Sequence, residues 1–554
     1  MSEPQVSSGD SRLLSASAVM AAGTVVSRMS GFVRSALLVA ALGGALHADL
    51  FNIGNTIPNM LYILLAGGVF NAVLVPQLVR AMKNDPDGGE AYTNRIVTLA
   101  ALFLGTVTVL LVVAAPWVMQ LYLGQEYDQP ELAAQRESVI DFARYCLPQV
   151  FFYGMFVLVG QILNSRGRFG PMMWAPIANN VLAIGGLVAY LFVFGPVAED
   201  RLDSAYTAGQ EALLGLTATA GIVAQLLILL PYLGAAGFHY RPRFDFRRTG
   251  LGHTLRLGVW TVLFVIVNQI AYTVVVRLAS SGAAGEDGTG YTVYAFTFLI
   301  VMVPHSIVTV SLATAILPTL SDRAAEGDLP ELGRTLGVAM RSALAVIVPF
   351  ALLLPLVARD VSQVIWGWGA GSETFAVFAP SLALFGAGLV FFTVHYLTLR
   401  GFYALEQTRT VFLVQCAIAA TNIAAAVLLT RNVSPEHTAP ALVAAYGTSY
   451  AVGSVLSFVV LRRTVGELQV PRLVRFLGRL LVAAGVGALA AALVAAGLRE
   501  LLPDPALPVA GLRAVAVGLV HVVVFVALAR LVRLTEVGDM VATITRRLPV
   551  RRRA

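Results

Sequence analysis

The chain has 554 residues, of which 57% are hydrophobic and 12% are charged, and its mean hydropathy is +0.77. Soluble domains carry about 25% charged residues, so this composition excludes a water-soluble globular protein. The formal net charge is +7, but the arginines that supply it lie mostly between apolar segments, which argues against a nucleic-acid partner.

Long apolar runs recur along the whole chain. The uncharged stretches 99–118 and 480–498 approach the ~20 residues that a helix needs to cross the hydrocarbon core of a bilayer. Polarity does not alternate along these runs as it would in barrel strands, so we predict an all-α polytopic membrane protein with about 14 transmembrane helices. Their approximate limits are 14–42, 50–79, 93–122, 138–164, 171–196, 210–237, 253–280, 291–321, 333–357, 374–399, 409–430, 438–461, 474–498 and 509–532.

The first predicted span contains two arginines. Arg28 lies about 21 Å into it, at 1.5 Å per residue, where snorkelling to the surface is difficult. Because an arginine inside a bilayer costs at least ~2.5–3.5 kcal/mol, Arg28 and Arg34 should face a wet cavity or a partner. A regular helix directs them about 120° apart, which suits a wide cavity or a break at Gly31. Asp49, at the start of the second span, could supply a countercharge. The alternatives are an interhelical ion pair for Arg28 and snorkelling for Arg34.

The second predicted span contains residues that interrupt a regular helix. Pro58, followed by Asn59, and Pro76 each remove a backbone hydrogen bond. Gly67 and Gly68 lie between these prolines. Broken helices in transporters line cavities or act as hinges, and kinking for packing alone is the alternative.

An internal repeat joins the two halves of the chain. Several short patterns recur at a common offset of about 240 residues, which is typical of transporters built from two repeats. The echoes are Gly31–Arg34 with 274–277, Asn164–Gly167 with Leu399–Phe402, and Pro58 and Pro76 with Pro304 and Pro318. The predicted parts are a disordered cytoplasmic N-terminus (1–13), an N-lobe of six helices (14–237), a cytoplasmic linker (238–252), a C-lobe of six helices (253–465), two C-terminal helices (466–535) and a basic cytoplasmic tail (536–554).

The distribution of arginines predicts the orientation. With the N-terminus inside, most arginines fall on the cytoplasmic side, among them Arg166 and Arg400. Both termini are then cytoplasmic. Arg277 occupies the repeat position of Arg34 but lies close to the outer interface, where it either anchors the helix or lines a cavity.

No catalytic signature is present in the sequence. It contains no nucleotide-binding GxxxxGK[ST], no HExxH and no GxSxG, and its histidines form no metal-ligand pattern. We therefore expect a transporter rather than an enzyme, with no cofactor and no metal. Uphill movement would draw on the membrane potential or on an ion gradient.

Several segments, in order along the chain, resemble the MviN/MurJ family of the multidrug/oligosaccharidyl-lipid/polysaccharide exporter superfamily. They are Ser27–Arg34, Ala48-Asp49, Ile57–Leu61, Val69–Pro76, Ile162–Ser165, Arg168-Phe169, Ala175-Pro176, Asn179-Asn180, Val303-Pro304, Ile316–Pro318 and Gly401–Ala404.

The resemblance implies fourteen helices in two lobes around a cationic cavity that faces each side of the membrane in turn. It also implies a hydrophobic groove for a polyprenyl tail at the last two helices. The substrate would be lipid II, moved from the cytoplasmic to the outer leaflet of the bacterial cytoplasmic membrane. Arg28, Arg34 and Asp49 would be cavity residues, and the arginines would bind the diphosphate. We add Asn59 and Arg277 as candidate substrate-binding residues. Membrane lipids and cell-wall synthesis proteins are the expected partners.

The chain departs from the family pattern at three places. Tyr62 stands where the family often has a basic residue, and Gly67 stands where it often has an acidic one. The uncharged stretch 296–302 lacks the family's arginine in the eighth helix. Arg277 or His305 could substitute for that arginine. Three alternatives to a lipid II flippase are a flippase for another polyprenyl-linked glycan, a multidrug exporter and a non-transporting scaffold for cell-wall enzymes.

Overall fold

The computed structural model describes residues 8–64, 75–245, 251–503 and 506–538. Every regular element in these ranges is a helix. The reason is that a backbone surrounded by hydrocarbon must satisfy its own hydrogen bonds, and a helix does so within one segment. The predicted all-α polytopic fold class is confirmed.

The chain forms two compact units. The first unit comprises residues 1–284 and 368–371, and the second comprises 285–367 and 372–554. The helices up to residue 284 are α1 (Ser8–Leu42), α2 (Leu46–Gly54), α3 (Thr56–Ile63), α4 (Val75–Asn84), α5 (Glu90–Val113), α6 (Ala115–Gln120), α7 (Ala133–Cys146), α8 (Gln149–Ser165), α9 (Gly170–Phe194), α10 (Ala208–Leu227), α11 (Leu230–Ala235) and α12 (Leu251–Ala283). Those that follow are α13 (Tyr291–Pro304), α14 (Ser311–Glu326), α15 (Leu329–Trp366), α16 (Gly371–Thr374), α17 (Phe378–Ala404), α18 (Thr408–Thr430), α19 (Thr438–Val465), α20 (Val470–Leu501) and α21 (Leu507–Leu531). Helix α12 belongs to the first unit, although the predicted C-lobe begins at residue 253; the predicted lobe limits stay a prediction.

Twelve helical stretches within the described residues are long and apolar enough to cross a membrane. They correspond to the third to fourteenth predicted spans. Helix α1 covers the first predicted span, and the second predicted span includes residues 65–74, which are not described. The protein is thus a multi-pass membrane protein, and the total of fourteen spans stays a prediction.

The first two predicted spans differ in regularity. Helix α1 is continuous through Gly31, so this structure has no break there. The next span is interrupted at Asn55, between α2 and α3 and shortly before Pro58. The Asn55 side-chain oxygen accepts a hydrogen bond of 3.0 Å from the buried Gln149 amide, which satisfies a polar group at the interruption. The predicted hinge residues Gly67 and Gly68 lie outside the described residues.

The other three prolines of the repeat occupy different helical settings. Pro76 lies in α4, next to the part of the chain that is not described. Pro304 ends α13 and is followed by a π-helical segment, His305–Val310, before α14 begins. Pro318 lies inside α14, which continues to Glu326. A hinge role for these prolines stays a prediction.

The C-terminal helices α20 and α21 pack against each other and against α15 in the second unit. Small side chains such as Ala491 and Ala495 are buried there and let the helices approach closely. Arg513 of α21 and Asp360 of α15 form an ion pair whose side chains are only 4% and 3% exposed. The lipid-tail groove predicted for residues 466–535 stays a prediction.

Candidate functional site

Arg28 lies on an exposed side of α1, together with Met29 and Val33. Within a membrane span, an exposed side chain meets either lipid or water. Because a charged guanidinium in lipid is costly, this side of α1 is suited to a water-filled space.

Asn180 of α9 is hydrogen-bonded to the part of α1 that carries Arg28. Its buried amide donates hydrogen bonds to the Ser27 carbonyl at 2.9 Å and to the Ser30 hydroxyl at 2.8 Å. The Ser30 hydroxyl in turn donates to the Ser27 carbonyl at 2.8 Å. Sequence reasoning placed Asn180 only in a family segment, because a single asparagine in an apolar run does not reveal its partner. The contact shows it to be a positioning residue for this part of α1.

Arg34 is half-buried and lies within electrostatic range of the Tyr153 hydroxyl of α8. The Tyr153 ring packs on Tyr62 of α3 with the ring centroids 4.7 Å apart. Among the described residues, no carboxylate lies within 4 Å of the Arg34 guanidinium. Tyr62, the residue that departs from the family pattern, therefore belongs to the surroundings of Arg34. We call Arg34, Tyr62 and Tyr153 the Arg34 cluster.

Asp49 occupies a different part of the first unit, where it is 1% exposed in α2. It lies within electrostatic range of two tyrosines in connecting segments, Tyr127 and Tyr206. Burial, together with the nearby Asp49 carboxylate, raises the pKa of both tyrosine hydroxyls well above the ordinary value. Both phenols therefore stay protonated beside the carboxylate.

Arg277 of α12 lines a small cavity of about 270 Å³ in the first unit. Its guanidinium donates a hydrogen bond of 2.7 Å to the Gln120 carbonyl. In the same cavity Arg136 pairs with Asp128 at 3.3 Å. The other lining residues are Leu123, Gly124 and Tyr127. Arg277 and Asp49 therefore both lie near Tyr127. Arg34 lies near Tyr153 instead.

Asn59 is exposed on α3. The adjacent carbonyl of Met60 accepts a hydrogen bond of 2.7 Å from the Gln269 side chain of α12, which ties α3 to α12. The substrate-binding roles predicted for Asn59, Arg28, Arg34, Asp49 and Arg277 stay predictions.

In the second unit, His305 begins the π-helical segment and is buried. Its ring centroid lies 4.7 Å from that of Phe392 and 4.9 Å from that of Tyr396, both on α17. His305 therefore sits among aromatic side chains of its own unit. Whether it replaces the arginine that the eighth helix lacks stays a prediction.

Comparison with known proteins identifies the family of the chain. The family described as "Lipid II flippase MurJ" matches residues 38–503, which is most of the chain. A "Probable lipid II flippase MurJ" of Rhizobium meliloti is 26% identical over 417 residues, covering 74% of each protein. A "Lipid II flippase MurJ" of Burkholderia cenocepacia is 26% identical over 487 residues, covering 86% of this chain and 87% of the relative.

Solved structures show the same fold. An inward closed conformation of lipid II flippase MurJ matches with a TM-score of 0.69 and 15% identity, covering 92% of this chain and 98% of that one. An inward-facing MATE multidrug resistance transporter of the MOP superfamily matches with a TM-score of 0.61 and 14% identity, covering 79% and 94%. Because the family match spans most of the chain, the protein belongs to the lipid II flippase MurJ family.

Proposed function

We propose that this protein is a lipid II flippase, which moves the polyprenyl-diphosphate-linked precursor from the cytoplasmic to the outer leaflet. Membership of the MurJ family and the names of the curated relatives support this function over a drug exporter or a scaffold. The protein works by alternating access in the bacterial cytoplasmic membrane, with both termini in the cytoplasm, and carries out no enzymatic chemistry.

The Arg34 cluster is the observation that carries the proposal at the level of residues. The guanidinium of Arg34 is half-buried and has no carboxylate within 4 Å among the described residues, so it retains donors for an anion. Guanidinium donors match phosphate oxygens in pairs, and such bonds strengthen where water is scarce. Arg34 and the exposed Arg28 therefore bind the diphosphate of lipid II.

Transport is driven by the membrane potential or by an ion gradient. The sequence has no nucleotide-binding motif that would supply another source of energy. Protein partners from the cell-wall synthesis machinery follow from the proposed function and are part of the proposal.

Complementation of a flippase-depleted strain tests the two arginines. Losing a charge-assisted hydrogen bond removes about 1.5–3 kcal/mol, which is a loss of roughly tenfold to a hundredfold in transport. We expect Arg28→Ala and Arg34→Ala to abolish growth while the protein still inserts. Arg201→Ala, in an exposed loop of the same unit, is the matched control and should grow normally. Normal growth with Arg28 and Arg34 both replaced would remove them from the mechanism.

Translocation in liposomes tests the function itself. Purified protein should accelerate the movement of labelled lipid II between leaflets, and an unlabelled glycan lipid on the same carrier should compete weakly. Equal competition would favour a broader polyprenyl-glycan substrate. No acceleration would favour the scaffold, and drug resistance of an overexpressing strain would favour the exporter.

A further inference from the structure

Arg400 of α17 is placed between aromatic rings instead of acidic residues. Its guanidinium carbon lies 4.3 Å from the ring centroid of Tyr396 and 5.7 Å from that of Tyr403. These tyrosines precede and follow Arg400 by about one helical turn, so all three share one face of α17. The side chain is half-buried, and its Nε atom is fully buried with no hydrogen-bond partner among the described residues.

The other shielded arginines of the second unit are arranged differently. Arg513 pairs with Asp360, and Arg341 pairs with Glu536 at 2.9 Å. Arg400 alone, among the shielded arginines in the described part of this unit, has no carboxylate within 4 Å. A shielded charge without a counterion is unfavourable, so the fold keeps at Arg400 a cation that an external anion could neutralise.

The aromatic neighbours restrict which anion fits. A ring face against the guanidinium attracts the cation but accepts no ordinary hydrogen bond, so the planar edge formed by the Nη1 and Nη2 donors remains available, although Nε is buried. Such an edge matches the paired oxygens of a phosphate. Tyr396 is itself held by His305, whose ring centroid is 4.9 Å away at an interplanar angle of 83°. The guanidinium is therefore pre-positioned.

The same arrangement occurs in the first unit at the residue that the sequence repeat matches to this position. Arg166, at the end of α8, lies over the Phe238 ring with its guanidinium carbon 5.1 Å from the centroid. It donates one hydrogen bond of 3.1 Å to the Ala236 carbonyl, and its buried Nε atom has no partner among the described residues. Glu90 acts on it electrostatically but forms no ion pair within 4 Å. Two units with different local sequences thus keep an aromatic-backed arginine at the same repeat position.

We propose that Arg400 with Tyr396 and Tyr403, and Arg166 with Phe238, are two binding sites for the phosphate of an anionic lipid. The charge distribution of the loops predicts the cytoplasmic side for both arginines. The phosphate comes either from an anionic phospholipid of the inner leaflet or from the diphosphate of a polyprenyl carrier. The sites do not require the proposed transport function, because any anionic lipid carries the chemistry that they recognise.

Lipid retention by the purified full-length protein tests the proposal. Native mass spectrometry would compare phosphatidylglycerol, undecaprenyl diphosphate and the uncharged undecaprenol, each added to detergent-solubilised protein. We expect retention of the anionic lipids well above undecaprenol, and a loss of about tenfold in Arg400→Gln with a further loss in Arg166→Gln/Arg400→Gln. Arg463→Gln, which removes an exposed arginine of the same unit, should retain lipid like the wild type. A stronger effect on one anionic lipid identifies the source of the phosphate.

Two further variants keep the test decisive. Arg400→Lys keeps the charge but not the planar edge, and Tyr396→Leu keeps Arg400 but removes a ring, so both should retain less lipid than the wild type. Wild-type retention of anionic lipids no better than that of undecaprenol would overturn the proposal. So would unchanged retention in the double glutamine variant with an unchanged thermal unfolding midpoint.

Discussion

Helices α1 and α21 each carry arginine within an apolar segment, but the surroundings of these arginines differ. Arg513 of α21 is paired with a carboxylate, and Arg28 and Arg34 of α1 are not paired with any carboxylate among the described residues. Arg513 of α21 donates from Nε to both carboxylate oxygens of Asp360 at 2.9 and 3.0 Å, and from Nη1 to the Leu502 carbonyl at 3.0 Å. Arg34 of α1 lies within electrostatic range of Tyr153 and has no carboxylate within 4 Å among the described residues, and Arg28 is exposed. Nη2 of Arg513 also donates to Asp360, so each guanidinium nitrogen has an acceptor in its own unit. The arginines of α1, in contrast, keep donors available.

This difference separates structural arginines from those that can bind a ligand. A buried guanidinium whose nitrogens all bond to its own fold, and whose charge is already paired, has little left to offer an anion. One that is shielded but unsatisfied is unfavourable until an anion arrives, and it gains most from binding. The number of satisfied donors therefore tells more about the role of an arginine than its depth in a span.

The largest effect is expected at the buried ion pair of Arg513 and Asp360. Asp360→Ala leaves the Arg513 charge buried and uncompensated, which should destabilise the second unit by about 3–5 kcal/mol. Replacing both residues, as Asp360→Leu/Arg513→Met, should restore most of the loss because no charge remains buried. Thermal unfolding in detergent measures both variants. If the single and double variants unfolded at the same temperature, the pair would not be structural in this sense.

His47 is a buried side chain whose hydrogen-bonding groups are only partly satisfied, because only one of its ring nitrogens has a partner among the described residues. The ring is 2% exposed and stacks on Tyr206 with centroids 3.6 Å apart. Its Nδ1 donates to the Ser204 carbonyl at 2.7 Å, and Nε2 has no partner among the described residues. Burial lowers the pKa of His47, which precedes the second predicted span, to about 4.

The lowered pKa predicts a loss of stability in acid. Because the unfolded chain binds the proton more tightly, stability falls as the pH drops below 6.5 and levels off below about 4. At pH 5 the contribution of His47 to this loss is about 2 kcal/mol. His47→Phe should shrink the drop in unfolding midpoint between pH 7 and pH 5. An equal drop in wild type and variant would show that His47 is not the group responsible for the loss of stability in acid.

The cluster at Arg34 should respond to the shape of the cation as well as to its charge. Arg34→Lys keeps the charge but loses the paired donors, so lipid II translocation should fall by about tenfold while protein stability is unchanged. Arg513→Lys is the contrasting variant, in which we expect the stability of the protein to fall. Translocation by Arg34→Lys equal to the wild-type rate would mean that Arg34 acts as a point charge or not at all.

Much of the fold could be predicted from the sequence because hydropathy and length act locally along the chain. The spans from the third onward follow directly from their apolar runs. Contacts between distant segments could not be predicted in this way. The pairing of Asp360 with Arg513, the bonds of Asn180 to α1 and the packing of Tyr62 on Tyr153 depend on tertiary structure. A sequence shows which residue types a candidate site contains, but it does not show which of their donors and acceptors already have hydrogen-bond partners.

The smallest expected effect concerns Tyr62, which touches the Arg34 cluster only through a ring. Tyr62 packs on Tyr153 with an interplanar angle of 35°, and Tyr153 is the electrostatic neighbour of Arg34. An aromatic pair contributes about 0.5–1.5 kcal/mol beyond the area that it buries. Tyr62→Leu should therefore loosen Tyr153 and slow lipid II translocation by about threefold to tenfold. Tyr62→Phe keeps the ring and should translocate at nearly the wild-type rate. If Tyr62→Phe were as slow as Tyr62→Leu, the hydroxyl and not the ring would be what the cluster needs, and Tyr62 would belong among the groups that contact the anion directly.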